Sequence, residues 1–374
     1  MKWKSILIAA ASVSLLASCT KKTDEILVGE FGSMTGSEAT FGQSTHKGIE
    51  LAFEEINSAG GIKGRKLKLI SLDDAGKSEE AAAAATRLIT QNKVIALLGE
   101  VASGRSKAAA PIAQKNKIPM ISPSSTNPEV TQIGDYIFRV CFIDPFQGTV
   151  MAKFTVDTLK KKKVAILRDV KSDYSVGLAD FYALKMKELG GEIVMDKSYQ
   201  GGDMDFKAQL TEIKSKEPEA IFVPGYYTEV GLIARQAREL GIKADLLGGD
   251  GWDSSKLYEI GKDAINGGYF SNHYTSESKD PVLVDFVNRF KSKYGEVPDG
   301  MAGTGYDAAK ILIKAMQATS DITSEQIRDQ LTKIKDHPGV TGKITINEKR
   351  DATKSAVVVQ VSGTTNKYIT TVEP

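Results

Sequence analysis

The order of apolar runs along this chain predicts an α/β fold made of two doubly wound, parallel-sheet lobes. Three observations carry that prediction. Strand-like and helix-like segments alternate almost without a break. The rhythm restarts near Lys163, as it would where a second unit begins. A chain of 374 residues also exceeds what one hydrophobic core supports.

The elements follow in order. Lys2 and Lys4 precede an apolar run, Ile6 to Leu16, of signal-peptide length and too short to span a bilayer. The tetrad Leu16-Ala17-Ser18-Cys19 then resembles a bacterial lipobox. That resemblance implies export, removal of residues 1–18 and acylation of Cys19, with residues 19–25 as a polar tether at a membrane surface. Strands are expected at 26–30, 66–72, 94–98, 118–121 and 136–140, with helices at 43–58 and 78–91 and helical patterns between the others. The second run places strands at 163–167, 193–199, 220–223 and 244–247, and helices at 174–189, 206–215 and 230–240. Late helices at 282–294, 305–318 and 324–334, with strands at 342–346 and 356–362, are left over. They must complete the two lobes by crossing back.

Composition narrows the function. The formal charge of +2 falls close to zero once Lys2 and Lys4 are removed, and no basic cluster with interleaved aromatics appears, so nucleic acid is not an expected partner. Cys19 and Cys141 are the only cysteines. Acylation of the first leaves no intrachain disulfide. The three histidines, His46, His273 and His337, are far apart in sequence and sit in no catalytic or metal-binding motif. No enzyme activity, cofactor or metal is expected.

Ligands of parallel α/β sheets bind beyond the carboxyl ends of strands. The loops there are rich in small hydroxyl residues. One reads Gly99-Glu100-Val101-Ala102-Ser103-Gly104-Arg105-Ser106, and another Ser122-Pro123-Ser124-Ser125-Thr126-Asn127-Pro128-Glu129. Each leads into a helix N-terminus, where free N–H groups and the helix dipole favour a carboxylate. The first mimics a phosphate loop but has Arg105 where that motif needs lysine, and is rejected as one. Thr126 and Glu129 also spell a capping box, which is a purely structural reading. In the second half, Tyr226 and Asp250 follow strand ends. Asp250 lies between glycines, suited either to a ligand ammonium or to a turn.

Several motifs in order resemble the periplasmic leucine/isoleucine/valine-binding family. They are Gly32-Ser33-Met34-Thr35-Gly36 with Phe41-Gly42, Gly60-Gly61-Ile62-Lys63-Gly64-Arg65-Lys66-Leu67 with Leu72-Asp73-Asp74-Ala75, the Ser122 run, Gly225-Tyr226-Tyr227-Thr228-Glu229, and Gly305-Tyr306-Asp307-Ala308. The resemblance covers the chain from Ile26 to at least Ile346. It implies a type I periplasmic binding fold with a three-crossing hinge, in which 26–143 with 273–347 form lobe 1 and 144–272 with 348–374 form lobe 2. It further implies that Ser103 holds the ligand carboxylate, that the Ser124 carbonyl takes the ammonium, and that Thr126 contacts the α-amino-acid group, with Ser125 beside them. By the same resemblance Tyr226 closes from the second lobe, Asp250 pairs with the ammonium, and Phe41, Ala102 and Tyr174 line the side-chain pocket. The family's cysteine pair is replaced by Gly76 and Ala102, and its pocket aromatic by Met301, Ala302 or Gly303. The implied function is capture of a small aliphatic amino acid in the cell envelope and its delivery to an ABC permease. A sensor module working with a separate membrane receptor is the alternative.

Overall fold

The computed structural model describes residues 25–374, so the leader, Cys19 and the tether before Glu25 lie outside the described residues. Among the described residues no helix is long and apolar enough to cross a membrane.

Strands β1 (Glu25–Gly32), β2 (Lys66–Asp73), β3 (Leu97–Leu98), β4 (Met120–Ser122) and β5 (Ile137–Arg139) form a parallel five-stranded sheet in the order β2-β1-β3-β4-β5. Strands β3, β4 and β5 are wholly buried because other elements cover both faces. One face packs Ile49, Phe53 and Leu312, the other Ala85, Leu88 and Ala109. Strand β2 is an edge, so it alternates exposed Lys66 and Lys68 with buried Leu67.

The second sheet begins with β6 (Lys163–Asp169), β7 (Glu192–Tyr199), β8 (Ala220–Phe222), β9 (Asp245–Gly248) and β10 (Tyr269–Asn272). The chain then makes a small antiparallel sheet from β11 (His337–Gly339), β12 (Gly342–Ile346) and β13 (Ala352–Thr353). It returns as β14 (Ala356–Ser362) and β15 (Thr365–Val372), giving seven strands in the order β15-β14-β10-β9-β8-β6-β7. Strands β6 to β10 are parallel, but β14 runs antiparallel to both β10 and β15. The expected parallel core is present in both sheets, and the antiparallel pair β14 and β15 is added at one edge of the second. Only Gly363 and Thr364 separate β14 from β15, and Gly363 has φ of 63°, so the link is a tight hairpin that permits antiparallel pairing alone.

The chain passes between lobes after β5, after β10 and after β13. The third passage comes later than the boundary expected at 347, because Ala352 and Thr353 still pair with β12. Helix Gly300–Gln317 starts before the expected Gly305, since the Asp299 carboxylate accepts a hydrogen bond from Ala302 N at 2.9 Å and caps it. This helix lies so close to helix Ala39–Ser58 that a Cβ at Gly48 would stand 2.0 Å from the Ala302 carbonyl. Only glycine permits that approach.

Candidate functional site

Helix Ser103–Lys115 begins just past β3, and no side chain caps its N-terminus. Ser103 is buried there, and its hydroxyl accepts from Asn127 N at 3.2 Å. The two hydroxyl loops are thereby held against one another. The expected capping box does not form: Glu129 N donates to Asn127 Oδ1 at 3.0 Å, and the Glu129 carboxylate pairs with Lys107. Thr126 Oγ1 is left buried without a hydrogen-bond partner. Ser124 Oγ meets Thr304 Oγ1 at 2.7 Å. Ser125 is different from its neighbours. Its hydroxyl is spent on the Glu100 and Val101 carbonyls and Ser106 Oγ, so it braces the loop from inside lobe 1.

Across the cleft, Asp250 is buried, and its carboxylate accepts from Gln147 Nε2 at 2.7 Å and lies 3.0 Å from His273 Nε2. It does not cap the short turn Asp250–Trp252 that it opens. Tyr174 and Tyr226 stack with centroids 5.4 Å apart and planes 3° from parallel. The Tyr174 hydroxyl accepts from Gly251 N at 3.2 Å. Phe41 meets Tyr226 and Tyr227 edge-on at 5.6 and 5.0 Å. Met301 joins Phe41 and Val101 in the same apolar cluster, so it is the residue at the expected aromatic position that reaches the cleft. Ala102 and Tyr226 also line an interlobe cavity of about 240 Å³ together with Glu38, Arg105, Ser172 and Glu229.

The lobes touch directly around this site. Thr40 Oγ1 and Ser254 Oγ are 2.9 Å apart, Thr228 Oγ1 donates to the Ser37 carbonyl at 2.8 Å, and Asn127 Nδ2 donates to the Asp173 carbonyl at 2.9 Å. This is the closed arrangement of a two-lobed protein.

Sequence reasoning missed Asp144, Gln147 and His273. Helix Asp144–Lys153 had not been expected, although Asp144-Pro145 after an apolar run is a helix-start signature. Both Asp144 carboxyl oxygens and Gln147 Oε1 are buried without hydrogen-bond partners. The Thr126 hydroxyl stands beside the Asp144 carboxyl, close enough to ease its charge but outside hydrogen-bond geometry. Burial and, less strongly, the neighbouring Asp250 carboxylate push the Asp144 carboxyl up from 3.8 to about 8. Folded Asp144 therefore keeps a proton that the unfolded chain has lost. The stability this group contributes is present below about pH 4 and drains as the pH rises toward 8. Asp144→Asn should accordingly melt higher than the wild type at pH 8 without ligand, and the gap should close at pH 4. A gap independent of pH would show that Asp144 is ionised in the folded protein.

The model of the family described as periplasmic binding protein matches residues 25–366. The chain belongs to that family. An amino acid binding protein of Pseudomonas aeruginosa is 33% identical over 98% of this chain and 97% of its own length. Among solved structures, the leucine binding protein LivK of Thermotoga maritima superimposes with a TM-score of 0.89 at 41% identity, covering 93% of this chain and 99% of that one. The branched-chain amino acid binding protein LivJ of Streptococcus pneumoniae, in complex with isoleucine, gives 0.88 at 34% identity, covering 94% and 100%. The fold is thus the type I periplasmic binding fold, and the family one of extracytoplasmic substrate-binding proteins.

Proposed function

We propose that this chain captures a small aliphatic L-amino acid, of the branched-chain class, between its lobes and presents the closed form to an ABC permease. One observation carries the reading. Around the Asp250 carboxylate stand three buried groups whose oxygens are left unpaired: Thr126 Oγ1, the Asp144 carboxyl and Gln147 Oε1. Buried polar atoms in native proteins are almost always paired, so this cluster suits a ligand group made only of donors, an ammonium. The uncapped helix N-terminus at Ser103 suits the ligand carboxylate. Phe41, Val101, Tyr226 and Met301 offer apolar and aromatic surface for the side chain. Binding of leucine and isoleucine by relatives supports the same class.

Calorimetry with leucine, leucinamide and 4-methylpentanoate tests the reading. Leucine should bind far more tightly than either analogue, because each lacks one of the two charges. Equal affinity for all three would sink it.

The leader and Cys19 point to a lipid anchor at the outer face of a membrane. Cys19→Ser should move the protein from the membrane to the soluble fraction. A variant that fractionates like the wild type would remove the anchor from this account.

A further inference from the structure

Asp250 and His273 come from separate parts of the chain. Asp250 follows β9, and His273 is the first residue after β10, at the second passage between lobes. Asp250 is flanked by Gly249 and Gly251, whose missing side chains are enforced by crowding: a Cβ at Gly249 would lie 2.5 Å from the Tyr174 hydroxyl, and one at Gly251 2.7 Å from the Gly225 carbonyl. Its sequence neighbours therefore offer no side chains to hold its rotamer. The contacts that do are Gln147 on one oxygen and His273 on the other.

The His273 imidazole is buried and stacks on Phe142, with centroids 4.2 Å apart and planes 27° from parallel. Phe142 sits in the first passage between lobes, so the stack joins two of the three crossings. His273 Nδ1 has no hydrogen-bond partner, whereas Nε2 faces the carboxylate. A neutral imidazole with one acceptor beside it carries its proton on the nitrogen facing that acceptor. Burial holds the ring below its ordinary pKa and so keeps it neutral. It donates to Asp250 without cancelling the negative charge an ammonium needs.

We infer that His273 is a positioning residue that aims the Asp250 carboxylate at the ligand ammonium and ties ammonium recognition to the hinge. The inference rests on the amino-acid reading given above. Gln147, its co-donor, lies in the helix that opens directly after the first passage. Both donors thus stand on segments next to hinge crossings, where the chain absorbs the change in backbone angles when lobes move.

The test compares His273→Phe, which keeps a ring on Phe142 but loses the N–H, with His273→Gln, which keeps a donor. Calorimetry with leucine and 4-methylpentanoate separates positioning from bulk stability. His273→Phe should weaken leucine roughly ten- to hundredfold, as expected for losing a hydrogen bond to a charged group. Binding of 4-methylpentanoate, which has no ammonium, should hardly change. His273→Gln should recover most of the leucine affinity. If His273→Phe does not fold, His273→Asn takes its place, with an amide too short to reach Asp250, and the same split between ligands is required. Equal loss for both ligands, or unchanged leucine affinity, overturns the inference while leaving the amino-acid reading intact. A wild type that itself binds the two ligands alike overturns that reading first, and this inference with it. The imidazole nitrogen spectrum of the wild type should show the Nε2-protonated tautomer; the opposite tautomer also overturns it.

Discussion

Replacing the Asp250 carboxylate by its amide, in Asp250→Asn, should weaken amino-acid binding by about two to three orders of magnitude. The reasoning is electrostatic. An ammonium enclosed between closed lobes loses its hydration and must be paired. Removing one partner of a buried charge pair costs about 3–5 kcal/mol, at about 1.4 kcal/mol per decade of affinity. Asp250 is buried and held by Gln147 and His273 rather than spent on its own turn, so its carboxylate is available to a ligand. The amide keeps the shape and removes the charge. Titration calorimetry reads the affinity, and the ligand-free melting temperature reads the fold. Wild-type affinity in Asp250→Asn would place the ammonium elsewhere, with Asp144 the next carboxyl to replace. A large ligand-free destabilisation would mean that Asp250 serves the fold.

The largest effect on stability should come from Arg139. It ends β5, is fully buried, and pairs with Asp351 at 2.7 Å. Its guanidinium also donates to the Ser125 carbonyl, to the Asn127 carbonyl at 2.8 Å and to Thr131 Oγ1 at 3.3 Å. One side chain thus fixes the loop carrying Ser124 and Thr126 and ties it to the segment leading into the third passage. Arg139→Met strands the Asp351 carboxylate and three acceptors in the interior. A loss of about 3–5 kcal/mol is expected, which lowers the melting temperature by roughly ten degrees in a lobe of this size. Because the penalty is an unpaired charge, the double variant Arg139→Met, Asp351→Leu should melt above Arg139→Met alone. Thermal melts of the three proteins decide it. Additive losses in the double variant would show that the two side chains stabilise the fold independently, and the stranded-partner account would fail.

Much of this molecule was legible beforehand. The alternation of strands and helices was readable because parallel strands buried on both faces are short unbroken apolar runs, as at Leu97–Leu98 and Ala220–Phe222. Strand ends pointed to the candidate loops, since a parallel sheet gathers them on one side of each lobe. That is how Ser103, Thr126, Tyr226 and Asp250 could be named from their places after strands. Strand β15 escaped notice: Thr365–Val372 is half exposed and polar, and joins the sheet as an edge. Helix Asp144–Lys153 escaped because it is buried on several sides and shows no clear apolar stripe.

What the sequence determined by itself is local: the fold class, and the residue types that stand in the loops after strand ends. Only the tertiary structure decided which of those side chains are free to bind. Ser125 and Thr126 are adjacent hydroxyls in one loop, yet one is consumed by carbonyls inside lobe 1 and the other is left without a partner. Gln147 and His273 reach the Asp250 carboxylate from 103 and 23 residues away in sequence, each beside a passage of the hinge. The physical reason is that hydrogen-bond satisfaction is a property of the packed interior. A residue's type says what it can donate or accept, but only the folded neighbours determine whether that capacity is already used.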